Sequence, residues 1–104
     1  MEFPLRADED ETKATIAGVY QESGYLADPH TAVGIHAARS VSRNTPVVVL
    51  ATAHPAKFPD AVKAASGVTP VIPPHHKDLF NLPEKLVNLP NDIEAVKNYI
   101  TGNL

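Results

Sequence analysis

A run of five apolar residues at 47–51 constrains the fold of this chain more than any other feature of its sequence. The run reads Val-Val-Val-Leu-Ala, without the alternation of polar residues that marks a half-buried strand. A continuous apolar run of this length is typical of a strand in a parallel sheet that helices cover on both faces. The other candidate strand is 68–72, and two strands do not complete such a sheet. We therefore expect the sheet to be completed by chain outside the printed sequence.

Helical patterns surround these two runs and predict an α/β fold with few parallel strands packed by helices, in the order helix, helix, strand, helix, short strand, helix. The first helix begins after Asp8, which precedes Glu11 in capping-box spacing, and it ends near Gly24. Asp28 and Pro29 favour the start of the second helix. The remaining two helices are predicted to begin at Phe58-Pro59-Asp60 and at Asn91-Asp92-Ile93-Glu94.

Length and composition bound the class of protein. A chain of 104 residues fits a single small domain over 1–104, and 43% apolar residues predict a folded rather than a disordered chain. The net charge of -3, the scattered lysines and arginines and the 6% aromatic content argue against a nucleic-acid partner. Because the chain has no cysteine, it has neither a disulfide framework nor a thiolate zinc site.

Two further features bear on where the protein resides. The longest apolar run, 46–53, is far shorter than the roughly 20 residues that a membrane-spanning helix needs. The opening residues soon become acidic, unlike a signal peptide. We expect a cytoplasmic protein without a membrane partner.

Thr52 is the residue whose position most favours a functional role. It follows the predicted strand 47–51, and ligands of open α/β sheets bind outside the carboxyl ends of the strands. Its hydroxyl is therefore a candidate to face a cleft. The alternative is that Thr52 only caps the helix that follows, and from physical chemistry alone the cap is favoured because threonine commonly takes that role.

The histidines leave several roles open. His30 and His54 each adjoin a proline where a helix is predicted to begin, and each is a candidate either for a phosphate or substrate contact or for a structural hydrogen bond. A metal site at His75 and His76 is a weaker alternative, because adjacent residues do not face the same way and zinc needs spaced ligands. We assign no metal ligand.

Two longer motifs resemble a known family. Residues 24–34 read Gly-Tyr-Leu-Ala-Asp-Pro-His-Thr-Ala-Val-Gly, and residues 50–59 read Leu-Ala-Thr-Ala-His-Pro-Ala-Lys-Phe-Pro. Both are similar to segments in the C-terminal region of threonine synthases, in the same order and at a similar separation. The tail, with Leu-Pro-Asn-Asp at 89–92 before a last helix, fits as well. The resemblance runs from about Asp8 to the end of the chain.

The resemblance implies the C-terminal segment of a fold-type II enzyme that depends on pyridoxal phosphate. Such enzymes convert O-phosphohomoserine and water to threonine and inorganic phosphate, and the cofactor serves as an electron sink. The lysine that holds the cofactor lies in the amino-terminal part of the family, and no segment of this chain resembles its motif. We therefore expect the amino-terminal part of the enzyme as partner, no catalytic residue within this chain, and no activity of the chain alone.

The resemblance also implies roles for individual residues. Thr52 matches a hydroxyl residue that contacts the pyridine nitrogen of the cofactor, and a neutral hydroxyl does not force protonation of that nitrogen as a carboxylate would. His30, Thr31, His54 and Lys57 are expected near the substrate or cofactor, and Lys57 is not the lysine that holds the cofactor. The rival hypothesis is a free-standing binding or interaction module that shares this fold segment without the chemistry.

Overall fold

Local capping signals set both ends of the first helix, α1 (Glu9–Ser23). The Asp8 side chain accepts a hydrogen bond from the Glu11 N–H at 2.8 Å, and the Glu11 carboxylate accepts one from the Asp8 N–H at 2.9 Å. This reciprocal pair satisfies two backbone donors that the helix itself leaves free. Gly24 ends the helix with φ at +74°, a conformation that glycine adopts without strain.

The computed structural model describes residues 5–41 and 44–104, and all four predicted α-helices are confirmed there. The other three are α2 (Pro29–Arg39), α3 (Pro59–Ser66) and α4 (Ile93–Gly102). Short 3-10 turns lie at Pro55–Lys57, Pro74–His76 and Leu79–Asn81. None of the helices in the described ranges is long and apolar enough to cross a membrane. The chain forms two compact units, Met1–Pro74 and His75–Leu104.

The core of the first unit lies where α1 packs against α2 and α3. Ile16 of α1 and Val62 of α3 are the largest fully buried apolar side chains. Ala27 and Ala32, at the start of α2, are also fully buried, and their small size lets the helices approach closely. This core fixes the position of the first turn of α2, which carries Asp28 and Thr31.

The predicted strands are not confirmed, because the described ranges contain no strand. The segment 46–51 has no helical or ladder structure, and Val48 and Leu50 are 87% and 77% exposed. Val49 is half-buried and lies against Gly34 of α2. The segment 68–72 is likewise not a strand, and its Val71 is 80% exposed. The physical reason is that a strand is stabilised by hydrogen bonds to a neighbouring strand, and the described chain supplies none.

The second unit buries little of its apolar surface. It consists of the turn at Leu79–Asn81, an extended stretch and α4, whose first turn is capped by the Asp92 side chain. The apolar stripe predicted for α4 is present but exposed, with Ile93 at 68% and Ile100 at 54%. Further exposed apolar side chains of this unit are Leu79, Phe80, Leu82, Leu86, Val87 and Leu89. The prediction of one domain over 1–104 stays a prediction.

Candidate functional site

The site begins at Asp28, the N-cap of α2. Its side chain is fully buried, and its carboxylate accepts backbone hydrogen bonds from His30 at 2.9 Å and Thr31 at 3.1 Å. It also accepts a short hydrogen bond from the Thr31 hydroxyl and lies 3.2 Å from Nδ1 of His30. A buried carboxylate is stable only when its oxygens are satisfied in this way.

These partners decide the ionisation of Asp28. Burial alone raises the pKa of its carboxyl, because a charge is poorly solvated inside a protein. The hydrogen bonds from Thr31 and His30 favour the charged form and together outweigh burial, so the pKa of Asp28 lies below its ordinary value of 3.8. The group is therefore a carboxylate at neutral pH and can only accept hydrogen bonds.

Thr31 links Asp28 to a part of the chain that is distant in sequence. Its hydroxyl donates to Asp28, and its oxygen accepts a hydrogen bond of 3.2 Å from the backbone N–H of Thr52, 21 residues away. Thr31 is 3% exposed, so water does not compete freely for this oxygen. The start of α2 thus holds the main chain at the end of the segment 46–51.

Thr52 does not cap the helix that follows it. The cap of the 3-10 turn at Pro55–Lys57 is His54, whose Nδ1 accepts from the Ala56 N–H at 3.1 Å. The next helix, α3, has Phe58 at its N-cap position without a side-chain cap. Within the described parts of the chain the Thr52 hydroxyl has no hydrogen-bond partner, and the residue is exposed. Its hydroxyl is therefore available to a ligand.

The cap also defines the state of the His54 ring. Because Nδ1 accepts a hydrogen bond, it carries no hydrogen, and Nε2 is the ring donor. His54 lines an open depression of about 510 Å³ with Tyr25, Ala51, Ala53 and Val71. Ala51 and Ala53 flank Thr52 in the sequence, whereas Thr52 itself does not line the depression.

The other predicted site residues lie on neighbouring elements. The His30 side chain is 64% exposed, and its ring centroid is 4.9 Å from that of Phe58. This contact brings the start of α2 next to the turn that carries His54 and Lys57. Lys57 is exposed at the end of that turn. The structure therefore gathers the two sequence motifs in one region of the first unit.

Sequence reasoning identified Asp28 only as a helix cap and missed its link to Thr52. The signal that the sequence offers is the spacing Asp-x-x-Thr, which places a hydroxyl at the third helical position beside the capping carboxylate. Nothing local indicates that this hydroxyl meets residue 52. For the metal alternative, the described residues contain no group of three or more His, Cys, Asp or Glu side chains that could hold an ion. His75 and His76 lie with their ring centroids 4.3 Å apart.

Comparison with known proteins adds an independent finding. The family model described as "Threonine synthase, C-terminal" matches residues 31–100. Threonine synthase from Pseudomonas aeruginosa is 46% identical over 100 residues, which are 93% of this chain and 21% of that protein. The enzyme of Corynebacterium glutamicum is 46% identical over 89 residues, covering 84% of this chain and 18% of that protein. This chain thus spans about a fifth of the length of the curated relatives it matches.

Solved structures agree with the sequence relatives. The crystal structure of pyridoxal-phosphate-bound threonine synthase from Brucella melitensis matches with a TM-score of 0.72 and 50% identity. That match covers 90% of this chain and 20% of the solved chain. Threonine synthase from Escherichia coli matches with a TM-score of 0.71 and 32% identity, covering 91% of this chain and 22% of the solved one.

Proposed function

This chain belongs to the threonine synthase family, and we propose that it acts as the C-terminal part of an enzyme that converts O-phosphohomoserine and water to threonine and inorganic phosphate. The observation that carries the proposal is the 50% identity to a pyridoxal-phosphate-bound threonine synthase over 90% of the chain. Because the chain corresponds to about a fifth of such enzymes, its partner is the amino-terminal part of the same enzyme. We place the reaction in the cytoplasm.

The residues present fit pyridoxal phosphate at one polar contact. A ring nitrogen needs a hydrogen-bonding group that is free and held in place. The Thr52 hydroxyl is exposed and free of partners in the described chain, while its main chain is anchored to Thr31. Thr52 would hold the ring nitrogen through its hydroxyl, and the cofactor, when bound, supplies an electron sink for the carbanions of the reaction.

Three further residues have supporting roles in this proposal. The substrate carries a phosphate group, and His54 and Lys57, on the turn that follows Thr52, have side chains that can donate hydrogen bonds to an anion. The His30 ring lies against Phe58 at the end of the same turn, and because its Nδ1 bonds Asp28, it can donate to an anion only through Nε2 of the imidazolium form. In His54 the free donor is Nε2, because Nδ1 caps the turn. Thr31 is placed differently: its hydroxyl is used within the fold, so it contributes by holding residue 52.

We further propose that 47–51 becomes a strand of a parallel sheet in the complete enzyme. The run is apolar at every position, yet Val48 and Leu50 are largely exposed in the described chain. Burying a valine or leucine side chain stabilises a protein by about 1.5–3 kcal/mol. Neighbouring strands from the amino-terminal part would provide both that burial and the missing ladder of hydrogen bonds.

The same reasoning applies to the second unit. Its exposed apolar side chains, among them Phe80 at 76% and Leu86 at 80%, exceed what a stable surface of a small unit usually carries. We propose that the amino-terminal part covers them. The chain alone is expected to lack activity, because the lysine that holds the cofactor is expected in the amino-terminal part.

The proposal can be tested with a joined protein, in which this chain replaces the matched C-terminal segment of the Pseudomonas aeruginosa enzyme. We expect the joined protein to release phosphate from O-phosphohomoserine and to support growth of a threonine-requiring strain. In Thr52→Val the shape is kept and the hydroxyl is lost. The rate should fall roughly 5-fold to 150-fold, the equivalent of about 1–3 kcal/mol for a polar group left without its partner.

Two controls make the result interpretable. Thr69→Val removes another exposed threonine hydroxyl from an extended segment and should leave the rate unchanged. A second joined protein that carries the Escherichia coli segment shows whether the junction itself is tolerated. If that protein is active and the one with this chain is folded but inactive, the proposed function is wrong. If Thr52→Val reacts as fast as the parent, the role of Thr52 is wrong.

A further inference from the structure

We propose that Asp28 is a positioning residue, which acts through the Thr31 hydroxyl to fix the main chain at Thr52. This inference rests on the proposed function, because it concerns the residue proposed to contact the cofactor. It assigns to a buried aspartate a role beyond the capping of α2. Three observations carry it, and each concerns a different link between Asp28 and Thr52.

The first observation is the direction of the hydrogen bond between Asp28 and Thr31. A threonine hydroxyl has one hydrogen and ordinarily rotates to suit its surroundings. A carboxylate can only accept, so the Thr31 hydrogen points at Asp28. The lone pairs of the Thr31 oxygen are then left for another donor. Asp28 in this way turns Thr31 into an acceptor with a defined orientation.

The second observation is the hydrogen bond that the Thr31 oxygen accepts from the main chain. The Thr52 N–H donates to it at 3.2 Å, across 21 residues of chain. In the segment before it, Val48 and Leu50 are exposed and Val49 lies against Gly34 of α2. The bond therefore sets where the backbone of residue 52, and with it the exposed hydroxyl, is placed.

The third observation is a comparison of two helix caps in the same chain. Asp8 caps α1 from an exposed position and accepts one backbone hydrogen bond. Asp28 caps α2 from a fully buried position and accepts two backbone bonds, and it also bonds the side chains of Thr31 and His30. A cap alone needs neither the burial nor the side-chain partners. Among the additional bonds, the one from the Thr31 hydroxyl orients Thr31.

The test uses a set of three threonine variants and a matched pair of aspartate variants. Thr31→Val removes the buried hydroxyl, Thr31→Ser keeps it, and Thr15→Val is the control, because Thr15 is a buried threonine of α1 without a link to Thr52. Asp28→Ser keeps a good capping residue but removes the carboxylate, and Asp8→Ser makes the same change on α1.

The first readout is hydrogen exchange of the residue-52 amide, followed by NMR in this chain and by mass spectrometry in the joined protein. Loss of one hydrogen bond should raise the exchange rate by roughly 2-fold to 10-fold in Thr31→Val and in Asp28→Ser. Thr31→Ser, Thr15→Val and Asp8→Ser should leave it unchanged. If Thr31→Val and Thr31→Ser exchange equally, the anchor does not exist and the inference is overturned.

The second readout is the rate of phosphate release by the joined protein. Thr31→Val and Asp28→Ser should each lower kcat, by up to about 100-fold if the hydroxyl is displaced by an ångström. In a Thr52→Val background they should have almost no further effect, because no hydroxyl remains to be positioned. An equal loss in both backgrounds would mean that Asp28 acts on stability alone. If the joined protein is inactive, the proposed function fails, while the exchange data still decide whether Asp28 fixes residue 52.

Discussion

The packing of the segment 46–51 on α2 can be tested with two glycines that stand in different surroundings. Gly18 lies inside α1, and a methyl group added there would come no closer than 3.9 Å to another atom, the end of the flexible Glu22 side chain. Gly34 lies inside α2, and an added methyl group would lie 3.0 Å from Cγ1 of Val49. Carbon atoms in good contact are about 3.5–4.0 Å apart. Gly34→Ala therefore forces Val49 away by a few tenths of an ångström.

The magnitudes follow from these distances. Replacing glycine by alanine in a helix interior is favourable by about 0.5–1 kcal/mol, so Gly18→Ala should stabilise the chain by that amount. Gly34→Ala has the same gain, but overpacking costs about 1–3 kcal/mol. We expect Gly34→Ala to be at least about 1 kcal/mol less favourable than Gly18→Ala, which in a domain of this size is a difference of roughly 4–8 °C in Tm.

Thermal and urea unfolding followed by circular dichroism measure both variants, and a third residue completes the test. Val49→Ala removes the atom that the new methyl group would strike. Gly34→Ala should therefore become favourable, by about 0.5–1 kcal/mol, when it is introduced into a Val49→Ala background. If Gly34→Ala stabilises the parent chain as much as Gly18→Ala does, Val49 does not pack on α2. The same conclusion follows if the effect of Gly34→Ala is independent of residue 49.

Three other predictions concern charge and exposed surface. The pKa of Asp28 is lower in the folded chain than its ordinary value of 3.8, so its contribution to the free energy of unfolding is complete above that value and is lost as pH falls through the folded pKa. Urea unfolding should show this loss of stability in the parent chain and a weaker loss in Asp28→Ser. Arg39 pairs with Glu22 at 2.6 Å in an exposed position, so Arg39→Ala should cost no more than about 1 kcal/mol and less in ~1 M salt. Leu86 is 80% exposed, so Leu86→Glu should change the stability of this chain by less than about 0.5 kcal/mol. If the amino-terminal part covers Leu86, the same substitution should destabilise the joined protein by about 1.5–3 kcal/mol.

The helices could be predicted because their signals are local. The capping box at Asp8 and Glu11 and the left-handed Gly24 and Gly67 each act within a few residues of the helix end that they define. The apolar stripe of α4 was also predicted correctly as a pattern. The stripe is exposed instead of buried, because an apolar stripe indicates which side of a helix is suited to packing but does not supply the surface on which that side packs.

The two predicted strands illustrate the same limit. The run 47–51 has the composition of a doubly covered strand, but a strand exists only with a neighbour that is remote in sequence. The described chain provides α2 on one side through the contact of Val49 with Gly34, and it provides no neighbouring strand. The doubly covered strand therefore stays a prediction, which the described chain does not confirm.

The candidate site was predictable only in part for a related reason. Thr52 was selected by its place after the apolar run, and the alternative that it caps the next helix is excluded because His54 takes that position. The hydrogen bond from Thr52 to Thr31 could not be predicted, since it joins residues 21 positions apart through a fold that is set by the helix core. Asp28 was identified as a cap because capping is local, whereas its additional bonds become visible only in three dimensions.

The arrangement separates two tasks that one residue would otherwise have to combine. The Asp28 carboxylate accepts four hydrogen bonds at the N-terminus of α2, where the helix dipole also favours a negative charge, so its charge is compensated where it stands. The link from Thr31 to Thr52 is a hydrogen bond to the main chain, so in the proposed role the carboxylate fixes geometry without contacting the cofactor itself. The group proposed to meet the ring nitrogen is a neutral hydroxyl, which does not force protonation as a carboxylate would. If Thr52 has the proposed role, a buried anionic support behind a neutral hydroxyl would suit a cofactor that acts as a mild electron sink.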